Sequence, residues 1–116
     1  MNFPKLSAAT LMERLTPPVG KVKMVLDTDT YNEIDDQFAV VQALMSPDSF
    51  DVIAIYAAPF HNSNSENAGD GKEKSYQEIL RLLARLSVSP DGFVFKGSTR
   101  FLSISKPSTS YPFFNK

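Results

Sequence analysis

The chain contains no cysteine, no tryptophan and only one histidine. Without cysteine there is no disulfide scaffold, no thiolate zinc site and no cysteine nucleophile. An excess of one charge is also missing, because 12 Lys and Arg stand against 13 Asp and Glu. Nucleic-acid binding needs a basic face that neutralises phosphates, so this balance argues against nucleic acid as the main partner.

Long hydrophobic runs are absent as well. The longest, at residues 52–58, falls far short of the roughly 20 residues that a membrane-spanning helix needs. The first residues show neither a basic start followed by an apolar stretch nor a clear cleavage site. We therefore expect no membrane segment and a cytoplasmic location.

The 116 residues, 42% of them hydrophobic, predict one globular domain. Residues 1–20 are interpreted as an N-terminal leader with a short helix that Ser7 caps. Residues 21–102 are interpreted as an α/β domain, and residues 103–116, which lack periodicity, as an irregular tail.

Strand and helix patterns alternate through the α/β domain. Short apolar runs predict buried strands, and a period of 3.6 residues predicts helices. The predicted elements are a strand at 22–26, a helix at 36–45, a strand at 52–58, a helix at 74–87 and a strand at 93–95. The order βαβαβ predicts a mostly parallel open sheet with right-handed crossovers, the start of a three-layer doubly wound (Rossmann-like) fold. The edges of so small a sheet would be exposed and could associate with another chain.

The helix at 74–87 follows a polar loop at residues 61–71. Its apolar residues recur at helical spacing and predict a core-facing stripe from Tyr76 to Leu86. Glu78, Arg81 and Arg85 fall on the other side, so we expect them to face solvent.

Five of the 13 acids lie within ten residues, from the end of the first strand to the start of the first domain helix. Open α/β sheets bind ligands at this position. Carboxylates packed so densely repel one another unless a cation screens them, and oxygen ligands favour Ca²⁺ or Mg²⁺ over Zn²⁺. The cluster consists of Asp27, Asp29, Glu33, Asp35 and Asp36.

A simpler role is open to part of this cluster. Asp35 or Asp36 could cap the helix and offset its dipole, which is worth about 1 kcal/mol. A cap does not account for Asp27 and Asp29 at a strand end, so the pattern favours a metal site. An EF-hand loop counted from Asp27 would need glycine at residue 32 and glutamate at residue 38, where the chain has Asn and Phe.

The segment Val25-Leu26-Asp27-Thr28-Asp29, followed by Ile34-Asp35-Asp36 and an apolar helix, resembles the N-terminal signature of the inosine-uridine preferring nucleoside hydrolases. The resemblance covers about residues 21–102. It departs from the family in two ways: the spacer at residues 30–34 is two residues longer than usual, and family members are more than twice this length. The remaining calcium ligands and leaving-group residues of the family come from the C-terminal half. We therefore expect a truncated fold of the nucleoside hydrolase type, with little or no activity alone.

The resemblance implies one Ca²⁺ ion that holds the attacking water and the ribose hydroxyls of a ribonucleoside. Asp29 would be metal ligand and general base, Asp36 a metal ligand, and Asp27 a ligand or its support. Asp35 and Asn62 would contact the sugar. In the longer spacer, Glu33 would add a ligand or a substrate contact. His61 could protonate a leaving base, although a lone loop histidine is more often simply solvated.

Two other interpretations stay open. A haloacid-dehalogenase-like phosphatase would use Asp27 as nucleophile, Asp29 as acid/base and Mg²⁺ as cofactor, with Ser98 or Thr99 holding phosphate. That class does not need the Asp35-Asp36 pair. Alternatively, the chain is a non-catalytic product that acts by association, with a second copy or another partner, through its exposed sheet edge.

Overall fold

A computed structural model describes residues 5–102 of the chain. The predicted tail at 103–116 lies outside the described residues, as do the first four residues of the predicted leader. The elements in chain order are α1 (Ala8–Leu15), β1 (Val22–Thr28), α2 (Ile34–Leu44), β2 (Phe50–Ala57), α3 (Ala68–Leu86) and β3 (Val94–Lys96). The predicted succession of strands and helices is confirmed.

Strands β1, β2 and β3 form one parallel sheet in that order. The chain is thus a small α/β fold, and the predicted parallel sheet is confirmed. Because strand order follows chain order, right-handed crossovers place α2 and α3 on the same face of the sheet. The two helices contact each other as well as β2. A second helical layer on the opposite face stays a prediction.

The hydrophobic core lies between this sheet face and the two helices. Its fully buried members are Val40 of α2, Ile55 and Ala57 of β2, and Ile79 and Leu83 of α3. These side chains fill the space between the sheet and the helices. The carboxyl ends of β1 and β2 continue into the loops that follow them.

Helix α1 forms as predicted. The Ser7 hydroxyl accepts a hydrogen bond from the backbone N–H of Thr10 at 3.1 Å, which satisfies one of the donors that a helix start leaves unpaired. None of the residues of α1 is buried.

Helix α3 corrects the sequence analysis at its start. It begins at Ala68 instead of residue 74, because Asn67 caps it by accepting a hydrogen bond from the N–H of Asp70 at 3.0 Å. The part of the predicted loop from residue 68 to residue 71 is therefore helical. Gly71 is required there, because a Cβ atom would collide with the carbonyl group of Phe60. The two glycines that suggested a loop lie in the first turn of a helix.

Glu78 is a second correction, since it is buried and does not face solvent. Its carboxylate accepts hydrogen bonds from Gln37 Nε2 of α2 at 2.8 Å and from Arg81 Nε at 2.7 Å. It also forms an ion pair with the guanidinium of Arg81. The charge is buried because partners on both helices satisfy it.

Helix α2 begins at Ile34, two residues before the predicted start. No helix in residues 5–102 has both the length and the apolar character to cross a membrane.

Candidate functional site

The candidate site is built on the carboxyl end of β1. Thr28, the last residue of the strand, is buried, and its Oγ1 donates to Asp36 Oδ1 in the first turn of α2 at 2.7 Å. The buried Thr30 hydroxyl lies 3.0 Å from that of Thr28. A hydroxyl carries a single proton, so with Thr28 donating to Asp36, Thr30 donates to Thr28. This chain of hydrogen bonds fixes the Asp36 carboxylate beside the strand end.

Asp29 lies next to Asp36. Burial, and after it the negative charge of Asp36, raise the pKa of Asp29 above its ordinary value. Hydrogen bonds to Asp29, including one from Asn32 Nδ2 at 2.9 Å, act in the opposite direction. Two interacting carboxylates in a half-buried setting are unfavourable when both are charged, and a cation between them would relieve the repulsion.

The loop after β2 reaches the same place through an amide contact. Asn62 Nδ2 donates to Asn32 Oδ1 at 2.5 Å, while Asn62 Oδ1 accepts from the N–H of Asn64 at 2.7 Å. Asn62 is thus connected to Asp29 through the side chain of Asn32. The structure brings together Asp29, Asp36 and Asn62 of the residues that the sequence singled out.

The remaining acids of the sequence cluster do not join this group. Asp27 is exposed on β1, Asp35 is exposed in the first turn of α2, and Glu33 precedes α2 without capping it by its side chain. His61 is exposed, with Nδ1 3.4 Å from the Ser65 hydroxyl. Over residues 5–102, no three His, Cys, Asp or Glu side chains are grouped so as to hold a metal ion. The structure therefore brings two carboxylates together, where the sequence suggested three as ligands.

The donor chemistry of the pair suits a hard cation. Asp29 and Asp36 contribute only oxygen atoms. The amide of Asn32 bonds Asp29 directly, while Thr30 and Asn62 are joined to the pair through Thr28 and Asn32. Ca²⁺ and Mg²⁺ prefer oxygen ligands. The residues present fit part of such a site: two carboxylates, with the other positions left to water, substrate or further donors.

Sequence analysis missed the supporting residues Thr28, Thr30 and Asn32. The signal was present, because hydroxyl residues alternate with the acids in Asp27-Thr28-Asp29-Thr30. Along a strand, alternate side chains point to opposite faces, so Thr28 lies on the other face of β1 from Asp27. Thr28 contacts Asp36, eight residues further along the chain, and this contact depends on where α2 starts.

A cleft of about 260 Å³ lies between Tyr31, which follows the site residue Thr30, and helix α3. Tyr31, whose ring stacks on Phe60 at a centroid distance of 6.5 Å, forms one wall, and polar residues of α3 from Glu73 to Arg81 form the other.

Ser98, which the phosphatase interpretation assigns to phosphate, takes part in local hydrogen bonds. Ser98 Oγ donates to the carbonyl of Arg100 at 2.7 Å and accepts from the N–H of Arg100 at 3.2 Å. This pattern is that of a local turn.

Comparison of the chain with protein-family models, with curated proteins and with solved structures finds no match in any of the three.

Proposed function

We propose that the chain carries part of the active site of a Ca²⁺-dependent nucleoside N-ribohydrolase, which splits a ribonucleoside into base and ribose. The proposal rests on the resemblance of the Asp cluster to that family. The observation that supports it is the pairing of Asp29 and Asp36 at the carboxyl end of β1, with Asn62 from the next loop joined to them through Asn32.

In this proposal Asp29 is the general base. Its raised pKa in the metal-free protein makes it a stronger proton acceptor than an ordinary exposed aspartate. Asn32 holds Oδ2 of Asp29 by a hydrogen bond, which fixes the orientation of the carboxylate. When bound, Ca²⁺ would lower the pKa of water and hold the sugar hydroxyls.

Asp36 is the second ligand, and the hydroxyl of Thr28 orients it. The negative charge of both carboxylates also suits a sugar that becomes cation-like in the transition state. Asp35 and Asn62 are proposed to contact the ribose, and Tyr31 to flank the base. Asp27 stays a proposed ligand or its support, Glu33 a proposed further ligand or substrate contact, and His61 a candidate for protonating the leaving base.

Two carboxylates fill only part of the six to eight positions that Ca²⁺ takes. We therefore expect weak turnover, or none, from this chain alone, and metal binding is the property to test first.

The test is a thermal melt with and without millimolar Ca²⁺, with Mg²⁺ in parallel. An ion that binds only the folded state must raise the melting temperature of the protein. Asp29→Asn and Asp36→Asn should lose this increase, whereas Asp48→Asn, which changes an exposed turn aspartate, should keep it. A melt that Ca²⁺ leaves unchanged in the wild-type chain would contradict the proposed ligand pair.

Hydrolysis of inosine and uridine, followed by release of the free base, is the second measurement. Release of phosphate from an aryl phosphate, without cleavage of either nucleoside, would instead favour the phosphatase interpretation.

A further inference from the structure

Helix α1 carries an apolar stripe that stays exposed in the single chain. Ala8, Leu11, Met12 and Leu15 follow the i, i+3, i+4, i+7 spacing that places side chains on one face of a helix. None of the residues of α1 is buried, and the three large apolar side chains of the stripe are all exposed. A stripe with this spacing is the face that a helix packs against another element.

Helix α2 has a second apolar face beside the one that it packs on β2 and α3. Ile34, Phe38 and Met45 lie four and then seven residues apart, which places them in one line along the helix. Their exposed fractions are 68%, 70% and 68%. We call these three residues the outer stripe of α2. Large apolar residues that are exposed in a continuous line, unlike scattered ones, indicate an interaction surface.

The charges around the two stripes have opposite signs. Residues 33–48, which contain α2 and its flanks, hold four acids and no basic residue. Packing the outer stripe against that of a second α2 would therefore bring like charges together. Around α1, Lys5 and Arg14 are exposed, while Glu13 lies on the side of the helix away from its stripe. The element of this chain whose charge suits α2 is thus α1.

An antiparallel direction suits the two helices best. It places the positive end of each helix dipole beside the negative end of the other, whereas a parallel direction places like ends together. It also brings Arg14, in the last turn of α1, to the acidic start of α2. In this direction Leu15 lies beside Ile34, and Met45 lies at the far end of the contact.

A single chain cannot make this antiparallel contact with itself. Helix α2 connects two parallel strands and so runs opposite to β1, and an α1 antiparallel to α2 would end near the carboxyl end of β1. Residues 16–21 would then have to return along all seven residues of that strand. Six residues span at most about 3.5 Å each, and a strand rises about 3.3 Å per residue. No length would be left to pass from the outer side of α2 to the sheet.

We propose that two copies of the chain form a reciprocal dimer, in which α1 of each copy packs antiparallel on the outer stripe of α2 of the other. A two-fold axis makes this contact twice. The proposal goes beyond the proposed function and uses neither the metal nor the substrate. The side chains that each copy buries in the dimer are Leu11, Met12 and Leu15 of α1 and Ile34, Phe38 and Met45 of α2.

The chain has no cysteine, so introduced cysteines report single contacts. Tagged Leu15→Cys and untagged Ile34→Cys are mixed, left to exchange subunits and oxidised mildly. The axes of packed helices lie about 8–10 Å apart, which brings facing Cα atoms within the reach of a disulfide. We expect a mixed disulfide between a tagged and an untagged chain. Met45→Cys is the matched control, because it has the same 68% exposure on the same stripe, and it should cross-link to Leu15→Cys clearly less.

Three outcomes of this experiment would overturn the proposal. Equal or stronger linking of Leu15→Cys to Met45→Cys would contradict the antiparallel direction. A chain that carries both Leu15→Cys and Ile34→Cys and closes its disulfide within one monomer would contradict the exchange between copies. The absence of any mixed disulfide would contradict the contact itself.

Sedimentation equilibrium tests the association without cross-links. Phe38→Ser removes the central side chain of the outer stripe, which is exposed in the single chain and is not needed by its core. We expect the dimer association constant to fall roughly tenfold or more, as for a buried side chain at the centre of an interface. Ile53→Ser, at an exposed apolar position of β2, should leave the constant unchanged.

Circular dichroism verifies that both variants keep the fold. A wild-type chain that sediments at micromolar concentration as a monomer of 12.9 kDa would rule out the dimer. A Phe38→Ser dimer as stable as that of the wild type would rule out this surface.

Discussion

Thr28 and Asp36 are joined by a hydrogen bond of 2.7 Å that links the end of β1 to the first turn of α2. The donor is a buried strand residue and the acceptor is one of the two carboxylates of the candidate site. Because Thr30 in turn bonds Thr28, the carboxylate is positioned by residues whose own side chains are fully or almost fully buried. The geometry of the site therefore depends on the packing of β1.

Replacing Thr28 tests this dependence. Thr28→Val keeps the shape but removes the donor, and we expect a loss of about 1.5–3 kcal/mol in the free energy of unfolding, the usual value for a hydrogen bond to a charged group. Thr28→Ser retains the hydroxyl and should lose clearly less. Urea denaturation measures both variants. Equal stability of Thr28→Val and wild type would show that the bond to Asp36 contributes nothing.

Asp29→Asn should stabilise the metal-free protein while it removes the response to Ca²⁺. The substitution relieves the repulsion that Asp29 shares with Asp36 and the cost of burying its charge, and an asparagine can still accept the hydrogen bond from Asn32. Thermal melts in chelator measure the first effect, and melts with added Ca²⁺ the second. A variant that is less stable in chelator than the wild type would mean that the negative charge of Asp29 is needed by the fold itself.

The sequence predicted those elements whose pattern is local. Strand β2 and the stripe through Ile79 and Leu83 follow from apolar runs and helical spacing, and Ser7 was identified as a cap from its position. The carboxylate pair was predicted in part: the acids were identified, but which of them meet depends on the two-residue shift in the start of α2 and on strand alternation.

Contacts between distant residues could not be predicted. Glu78 lies on a helix side that the sequence pattern assigns to solvent, and only the packing of α2 against α3 brings Gln37 to it across 41 positions. Gly71 suggested a loop because its packing against Phe60 is not visible in a linear pattern. In both cases a residue with an unfavourable local propensity is retained because of a tertiary contact.

The ion pair between Glu73 of α3 and Lys96 of β3 predicts a loss of stability in acid. Lys96 Nζ donates to Glu73 Oε1 at 2.8 Å, and this bond is the main reason why the pKa of Glu73 is lowered in the folded protein. A carboxyl group with a lowered folded pKa contributes stability above its unfolded value of 4.5, and this contribution is lost as the pH falls through the folded pKa.

The measurement is urea denaturation between pH 7 and pH 3 for wild type and Glu73→Gln. The difference in unfolding free energy should be present at pH 7 and should disappear toward pH 3. Glu13→Gln, a change on the unburied helix α1, serves as the control and should follow the wild type throughout. A difference in unfolding free energy between wild type and Glu73→Gln that stays constant with pH would contradict the role given to the Glu73–Lys96 ion pair.

Gly71→Ala tests whether close packing and not flexibility explains the glycine in the first turn of α3. Alanine favours a helix over glycine by about 1 kcal/mol, so on propensity alone the variant would be more stable. The added Cβ, however, would meet the backbone carbonyl of Phe60, which cannot rotate away as a side chain does. Overpacking of this kind costs about 1–3 kcal/mol or more, and a displaced Phe60 would also disturb the ring of Tyr31 beside the site.

We therefore expect Gly71→Ala to be destabilised by about 2 kcal/mol in urea denaturation, against the direction of helix propensity. Gln77→Ala, an exposed position of the same helix, should stay within about 0.5 kcal/mol of the wild type. If Gly71→Ala is as stable as the wild type or more so, α3 does not pack on the Phe60 carbonyl as described. The loop that carries Asn62 would then be free of the constraint that holds it near Asp29.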